Sequence, residues 1–342
     1  MPPPLKFLRS NSTYNDMETE RMGFLTGISR AVSRSVTSGP VVESLWLYQY
    51  LTSQLLSEQK AISKGPSYSR ASNGFGLLLC LKALKANHRV IGTVRSKAKS
   101  GDAVKQIESA GGQVIELDVN EPRESITRKV KAVGQIDYLV NNAGFLVLGA
   151  VEQMSEKEAQ LQLQTNFFGP LYVIQAALEG MRARRSGTIV SMSSLAAKEY
   201  VPTTGLYSAS KAALEAMSES LAAEVADFGV SVLIVEPGSF RTNFLAALNQ
   251  SGTPLPEDYE GTAVARIRDV LLTKSGKQPG DPQKGVDRIF ETLTGEGLAG
   301  HLKGKVLRLV LGRDALERIR KANDKFLEDL ALGEEIAVTT DL

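Results

Sequence analysis

From residue 67 onward, short apolar runs alternate with longer stretches of helical periodicity. The runs Arg89–Val94, Gln113–Leu117, Ile136–Val140, Gly187–Met192, Val230–Val235 and Val306–Val310 have strand length and strand composition. Between them, helices are predicted over Ala103–Ala110, Pro122–Val133, about 153–184 in two stretches, and about 206–228. Further helical segments follow near 258–274, 284–294 and 313–330. Short apolar strands joined by helices imply parallel βαβ units whose sheet is covered on both faces. Right-handed crossovers are then expected. The predicted fold is a single doubly wound parallel α/β domain over residues 67–342, with no internal repeat of solenoid period.

Residues 1–66 break this rhythm. They are rich in Ser and Thr, weakly periodic and carry scattered prolines. A short helix or strand over Leu45–Leu56 is the exception, and disorder is the expectation elsewhere. The run L-W-L-Y-Q-Y-L at 45–51 is too short to span a bilayer, and the N-terminus lacks the apolar core of a secretory signal.

Composition narrows the function classes. Hydrophobic residues make up 42% and charged residues 23% of 342, with a net charge of +2, so no polyanion partner is indicated and nucleic-acid binding is set aside. The single cysteine, Cys80, excludes a disulfide within the chain and points to a reducing compartment, hence a cytoplasmic location, with association with a lipid surface left open. Cys80 sits in L-L-L-C-L and reads as a small buried hydrophobe. His88 and His301 are isolated, so neither a metal site nor a serine–histidine triad has supporting spacing.

Candidate chemistry gathers where strands end and helices begin, the place where open α/β sheets bind ligands. S-R-A-S-N-G-F-G, Ser69 to Gly76, would let a backbone approach a diphosphate at a helix N-terminus. N-N-A-G, Asn141 to Gly144, closes one strand, and S-M-S-S, Ser191 to Ser194, closes another. E-P-G-S-F-R-T, Glu236 to Thr242, closes a third, placing Pro237, Gly238 and Thr242 to hold a nicotinamide amide. In Y-S-A-S-K, Tyr207 and Lys211 share one helix face, where an ammonium would lower the phenol's pKa and suit it to proton exchange. Each motif alone is an ordinary turn or surface pair; their order is informative.

That order resembles the short-chain dehydrogenase/reductase family, from about Ser69 to the C-terminus. The resemblance rests on N-N-A-G, on Asn166 in T-N-F-F-G, on S-S-L with Y-S-A-S-K thirteen residues later, and on the E-P-G turn. It implies a Rossmann-like fold and a catalytic tetrad of Asn166, Ser194, Tyr207 and Lys211. Tyr207 would be the general acid/base. Lys211 would lower its pKa and grip the nicotinamide ribose, Ser194 would orient the carbonyl, and Asn166 would hold a relay water. Cofactor contacts are expected from Ser72, Gly74, Phe75, Gly76, Asn142, Ala143, Gly144, Pro237, Gly238 and Thr242, with Asp118 at the adenine. The glycine spacing fits the small single-domain branch and not the nucleotide-sugar branch. Where an acidic residue would select NAD, Val94 and Arg95 stand, and an arginine suits the 2′-phosphate of NADP(H).

The expected activity is NADP(H)-dependent interconversion of a carbonyl and a secondary alcohol on a mostly apolar small molecule. Phe145, Leu146, Val147, Phe240 and Phe244 supply apolar surface near the motifs. The run from G-D-P-Q-K to L-G-R-D-A-L is similar to members acting on steroids, retinoids or acylated dihydroxyacetone phosphate. The family likeness also implies a homodimer or homotetramer paired through helices near 167–184 and 206–228. Two departures stand out. Arg70 replaces the first glycine and Ser69 the preceding threonine, and A-I-S-K-G-P-S-Y stands where an apolar central strand should run. A missing first strand is therefore expected, from a divergent N-terminus or a mis-assembled reading frame. The alternative function is a non-catalytic member of the fold with impaired cofactor binding.

Overall fold

Seven parallel strands form one sheet, in the order Gln113–Glu116, Val90–Val94, Ser67–Arg70, Tyr138–Asn141, Gly187–Met192, Val230–Pro237, Arg308–Leu311. The computed structural model describes residues 67–342, so the expectations for residues 1–66, including Leu45–Leu56, lie outside the described residues. The strands are β1 (Ser67–Arg70), β2 (Val90–Val94), β3 (Gln113–Glu116), β4 (Tyr138–Asn141), β6 (Gly187–Met192), β7 (Val230–Pro237) and β9 (Arg308–Leu311). A two-stranded ribbon of β5 (Val147–Leu148) and β8 (Asn249–Gln250), absent from the sequence reading, stands beside it. Two residues per strand leave no periodicity to read.

The helices are α1 (Gly74–Lys85), α2 (Gly101–Ser109), α3 (Arg123–Ala132), α4 (Glu156–Leu163), α5 (Gly169–Arg184), α6 (Gly205–Val225), α7 (Ala263–Thr273), α8 (Pro282–Thr294) and α9 (Arg313–Ala337). Their ends follow local chemistry. Ser155 and Glu158 form a capping box that starts α4. Asp281 caps α8, Pro282 fills its first turn, and Gly295 ends it at φ +82°. Between α4 and α5 the chain makes a π-helical turn over Gln164–Phe168, a widening that places Asn166.

Both faces of the sheet are buried. On one, Leu79, Ala83, Ile107, Val286 and Ile289 pack on Val90, Val140, Val190 and Leu233. On the other, Ile126, Val173, Met181 and Leu221 pack on Ile91, Leu139, Ile189 and Val232. Apolar area removed from water on both sides is the main stabilising term, about 25 cal/mol per Å². Cys80 is buried as expected, and burial pushes its thiol up to about 12.

The expected loss of the first strand is corrected by the structure. β1 occupies the centre of the sheet, paired in parallel with Val90–Thr93 on one side and Tyr138–Val140 on the other. Two apolar neighbours offer hydrogen-bonding edges, and a four-residue ladder satisfied on both sides does not need an apolar sequence. The strand order reverses between β1 and β4, which opens a crevice at the carboxyl ends of the strands.

Candidate active site

The strand ends converge on a cavity of about 530 Å³, in the range of small-molecule sites. The turn after β1 brings Ser72, Gly74 and Phe75 to its wall. Gly74 opens α1 at φ +56°, a conformation that costs a glycine little, and its α-carbon faces Thr242 so closely that a Cβ would touch that side chain at 3.5 Å. Arg95 follows β2, is exposed, and lines the same cavity. Asn142, Ala143 and Gly144 follow β4; Met192 ends β6 and Ser193 and Ser194 follow it; Pro237 ends β7 and Gly238 and Thr242 follow it.

Three expected residues stand off the wall. Gly76 is buried in the first turn of α1. Asp118 accepts hydrogen bonds from the backbone and side-chain amides of Asn120 at 3.1 and 3.0 Å, and Leu117, Val119 and Asn120 face the cavity instead. Asn166 is fully buried. Its side chain accepts from Phe145 N at 3.1 Å and donates to Phe145 O and Ser210 Oγ, each at 3.0 Å, so it clamps the turn after Gly144 to α6.

Tyr207 and Lys211 lie one turn apart on α6, both buried, with the Lys211 ammonium 5.9 Å from the centre of the Tyr207 ring. Lys211 Nζ donates to Met192 O at 2.7 Å. Burial pushes the Tyr207 phenol up to about 12, against a hydrogen bond with Ser194 that draws it down. Desolvation thus outweighs the Ser194 hydrogen bond. Burial likewise pushes Lys211 down to about 8, against the attraction of Glu215. Ser194 also caps the short turn Leu195–Ala197 by accepting from Ala196 N at 3.2 Å, which fixes its hydroxyl near Tyr207.

A buried charge cluster below this pair escaped the sequence reading. Glu215, one turn beyond Lys211, accepts from Ser193 Oγ at 2.5 Å and pairs with Lys198 at 2.9 Å. Glu236, near the end of β7, feels the charge of Glu215 and lies 3.1 Å from Arg308, which also pairs with Glu219. Burial first, and then the Glu215 charge, raise Glu236 to about 7, so Glu236 keeps its proton up to about that pH. The i, i+4 spacing of Lys211 and Glu215 was a signal for half of this cluster. Asp314 offered none: it accepts from Ser239 N at 2.8 Å across 75 residues and pins the turn after Gly238.

The family model for short chain dehydrogenases matches residues 70–252. The chain belongs to the short-chain dehydrogenase/reductase family. The oxidoreductase claN of Passalora fulva is 42% identical over 210 residues, covering 60% of this chain and 93% of that protein. The 3-ketodihydrosphingosine reductase of Bacteroides thetaiotaomicron is 34% identical over 218 residues, covering 63% and 77%. A short-chain dehydrogenase crystal structure from Streptomyces avermitilis superposes with a TM-score of 0.71 at 35% identity, covering 81% of this chain and 98% of that one. In this short-chain dehydrogenase/reductase the motifs of the strand ends thus share one cavity. Among the described residues, no helix is long and apolar enough to cross a membrane, and no three His, Cys, Asp or Glu side chains gather as a metal would need.

Proposed function

We propose that the chain is an NADP(H)-dependent oxidoreductase that interconverts a carbonyl and a secondary alcohol on a mostly apolar small molecule. The observation that carries this reading is the meeting of Ser194, Tyr207 and Lys211 on one wall of a single cavity. A phenol that keeps its proton until about 12 is a proton donor at neutral pH, as carbonyl reduction requires. Tyr207 gives its proton to the oxygen of the carbonyl being reduced. Ser194 orients that oxygen. Lys211 holds a positive charge beside the phenol, which offsets the phenolate left after transfer, and Asn166 holds the backbone of Phe145 in place.

The residues present fit a nicotinamide dinucleotide. Gly74 leaves room at the N-terminus of α1, where backbone amides favour a diphosphate. At Gly144 a Cβ would come within 3.3 Å of Lys211 Nζ, so glycine keeps the floor clear there. Ser72, Phe75, Asn142, Ala143, Pro237, Gly238 and Thr242 would hold the dinucleotide, and Arg95 would meet the 2′-phosphate. When bound, this cofactor supplies the hydride. Leu146, Leu195, Val201, Phe244 and Leu271 give the remaining wall an apolar lining. Relatives named for retinol and for 3-ketodihydrosphingosine agree with an apolar substrate.

Residues 67–342 then form the enzyme domain, active as a homodimer or homotetramer in the cytoplasm. The central position of β1 supplies the strand whose expected absence was one support for a cofactor-impaired, non-catalytic chain. A panel of apolar aldehydes and ketones incubated with NADPH or NADH tests the reading. NADPH-dependent reduction of at least one is expected. No turnover with any of them, together with no change in NADPH fluorescence on adding protein, would overturn it.

A further inference from the structure

The cavity wall carries the cations Arg95, Lys211, Lys274 and Arg318 and no Asp or Glu. Three of these are accounted for. Arg95 stands at the proposed 2′-phosphate position, Lys211 beside Tyr207, and Arg318 is paired with Glu199. Lys274, half-buried at the C-terminal end of α7, is in no ion pair among the described residues; its ammonium donates to Ser239 Oγ at 3.2 Å.

Close by in the wall is Gln278, only 1% exposed, whose side-chain nitrogen and oxygen both lack hydrogen-bond partners among the described residues. Buried amides without partners are costly and usually mark a missing ligand or water. The segments that carry these groups are rigidly tied. Gly280 N donates to Ser239 O at 3.0 Å and Arg241 N to Gly280 O at 2.9 Å. Arg241 further donates to Gln278 O at 3.2 and 3.1 Å through its side chain, and Asp314 holds Ser239 from the other side.

We infer that Lys274, Ser239 and Gln278 form an anion subsite in the cavity wall that takes phosphate or carboxylate oxygens. Lys274 supplies the charge, and the Ser239 hydroxyl and Gln278 amide supply neutral donors. The subsite deepens the proposed function, and its ligand has two sources with the same chemistry: the diphosphate of the dinucleotide, or an acidic head on an otherwise apolar substrate.

The test uses the full chain and its Lys274→Met, Lys274→Arg and Gln278→Glu variants. NADPH affinity is read by fluorescence titration. Thermal protection of NADPH-saturated protein is read with decyl phosphate, decanoate and decanol. Loss of one charge-assisted contact is expected to weaken the anion by about tenfold in Lys274→Met, with Lys274→Arg retaining most of the affinity. Gln278→Glu should weaken the same ligand through like-charge repulsion. Weaker NADPH assigns the subsite to the cofactor's diphosphate. Unchanged NADPH with loss of the preference for decyl phosphate or decanoate over decanol assigns it to the substrate. If the parent chain does not bind NADPH but decyl phosphate protects it through Lys274, the subsite stands and the cofactor reading falls. NADPH affinity and anion preference both equal to the parent's in folded Lys274→Met and Gln278→Glu would overturn the inference.

Discussion

Tyr207 and Lys211 are buried side by side, and burial moves their pKa values in opposite directions, up to about 12 and down to about 8. Tyr207 therefore stays protonated across the working range, and Lys211 sets the basic limb of the rate profile. Turnover should fall above about pH 8 as Lys211 loses its charge. Glu215→Gln removes the carboxylate that supports that charge, so the limb should move to lower pH; a profile identical to the parent's would contradict this. The same shift affects stability. Between about 8 and the ordinary value of 10.5 the unfolded chain binds more protons at Lys211 than the folded chain does, so this residue makes stability rise with pH there. Glu236 acts the other way. Raised from 4.5 to about 7, it contributes stability that is complete below 4.5 and lost as pH rises through about 7. Glu236→Gln should flatten that part of the curve in urea unfolding followed from pH 4.5 to pH 8. Arg95→Ala should weaken NADPH by roughly 1.5–3 kcal/mol and leave NADH unchanged in fluorescence titration; equal weakening of both would make Arg95 a structural residue.

At the scale of elements, α9 shows how distant sequence supports the site. Its first turns carry Asp314, which holds Ser239, and Ala315 and Ile319, which pack on Leu195 behind Ser194. From Asn323 on, the helix is exposed. Removing residues 324–342 should leave the unfolding midpoint and turnover nearly unchanged. Ile319→Ala should cost about 2–5 kcal/mol and slow turnover through the Ser194 turn. Legibility varied for physical reasons. Gly187–Met192 was readable residue for residue because its buried apolar positions Ile189, Val190 and Met192 stand between the turn residues Ser186-Gly187 and Ser193-Ser194. The helix pair around Asn166 was readable in extent, but its π-helical turn was not, since one extra residue per turn barely alters the apolar pattern. β1 was misread because its place is set by the edges of β2 and β4 and not by its own composition. The motifs located Ser194, Tyr207 and Lys211. The Glu215–Glu236 contact and Asp314 arise only from tertiary packing.

For the whole molecule, the exposed Phe168 just before α5, edge-on to Phe167 and stacked with Tyr172, suits the proposed pairing of subunits through α5 and α6. Light scattering should give a dimer or tetramer, and a monomer at micromolar concentration would contradict it. In the proposed function, one cavity, assembled from the carboxyl ends of β1, β2, β4, β6 and β7, performs carbonyl reduction with Tyr207 as the proton donor. The most direct measurement compares the parent with Tyr207→Phe, using a carbonyl substrate from the NADPH panel and reading both turnover and NADPH affinity. Turnover lower by about 10²–10⁴-fold with NADPH affinity retained is expected. A folded Tyr207→Phe variant that reduces the carbonyl at the parent's rate would contradict it.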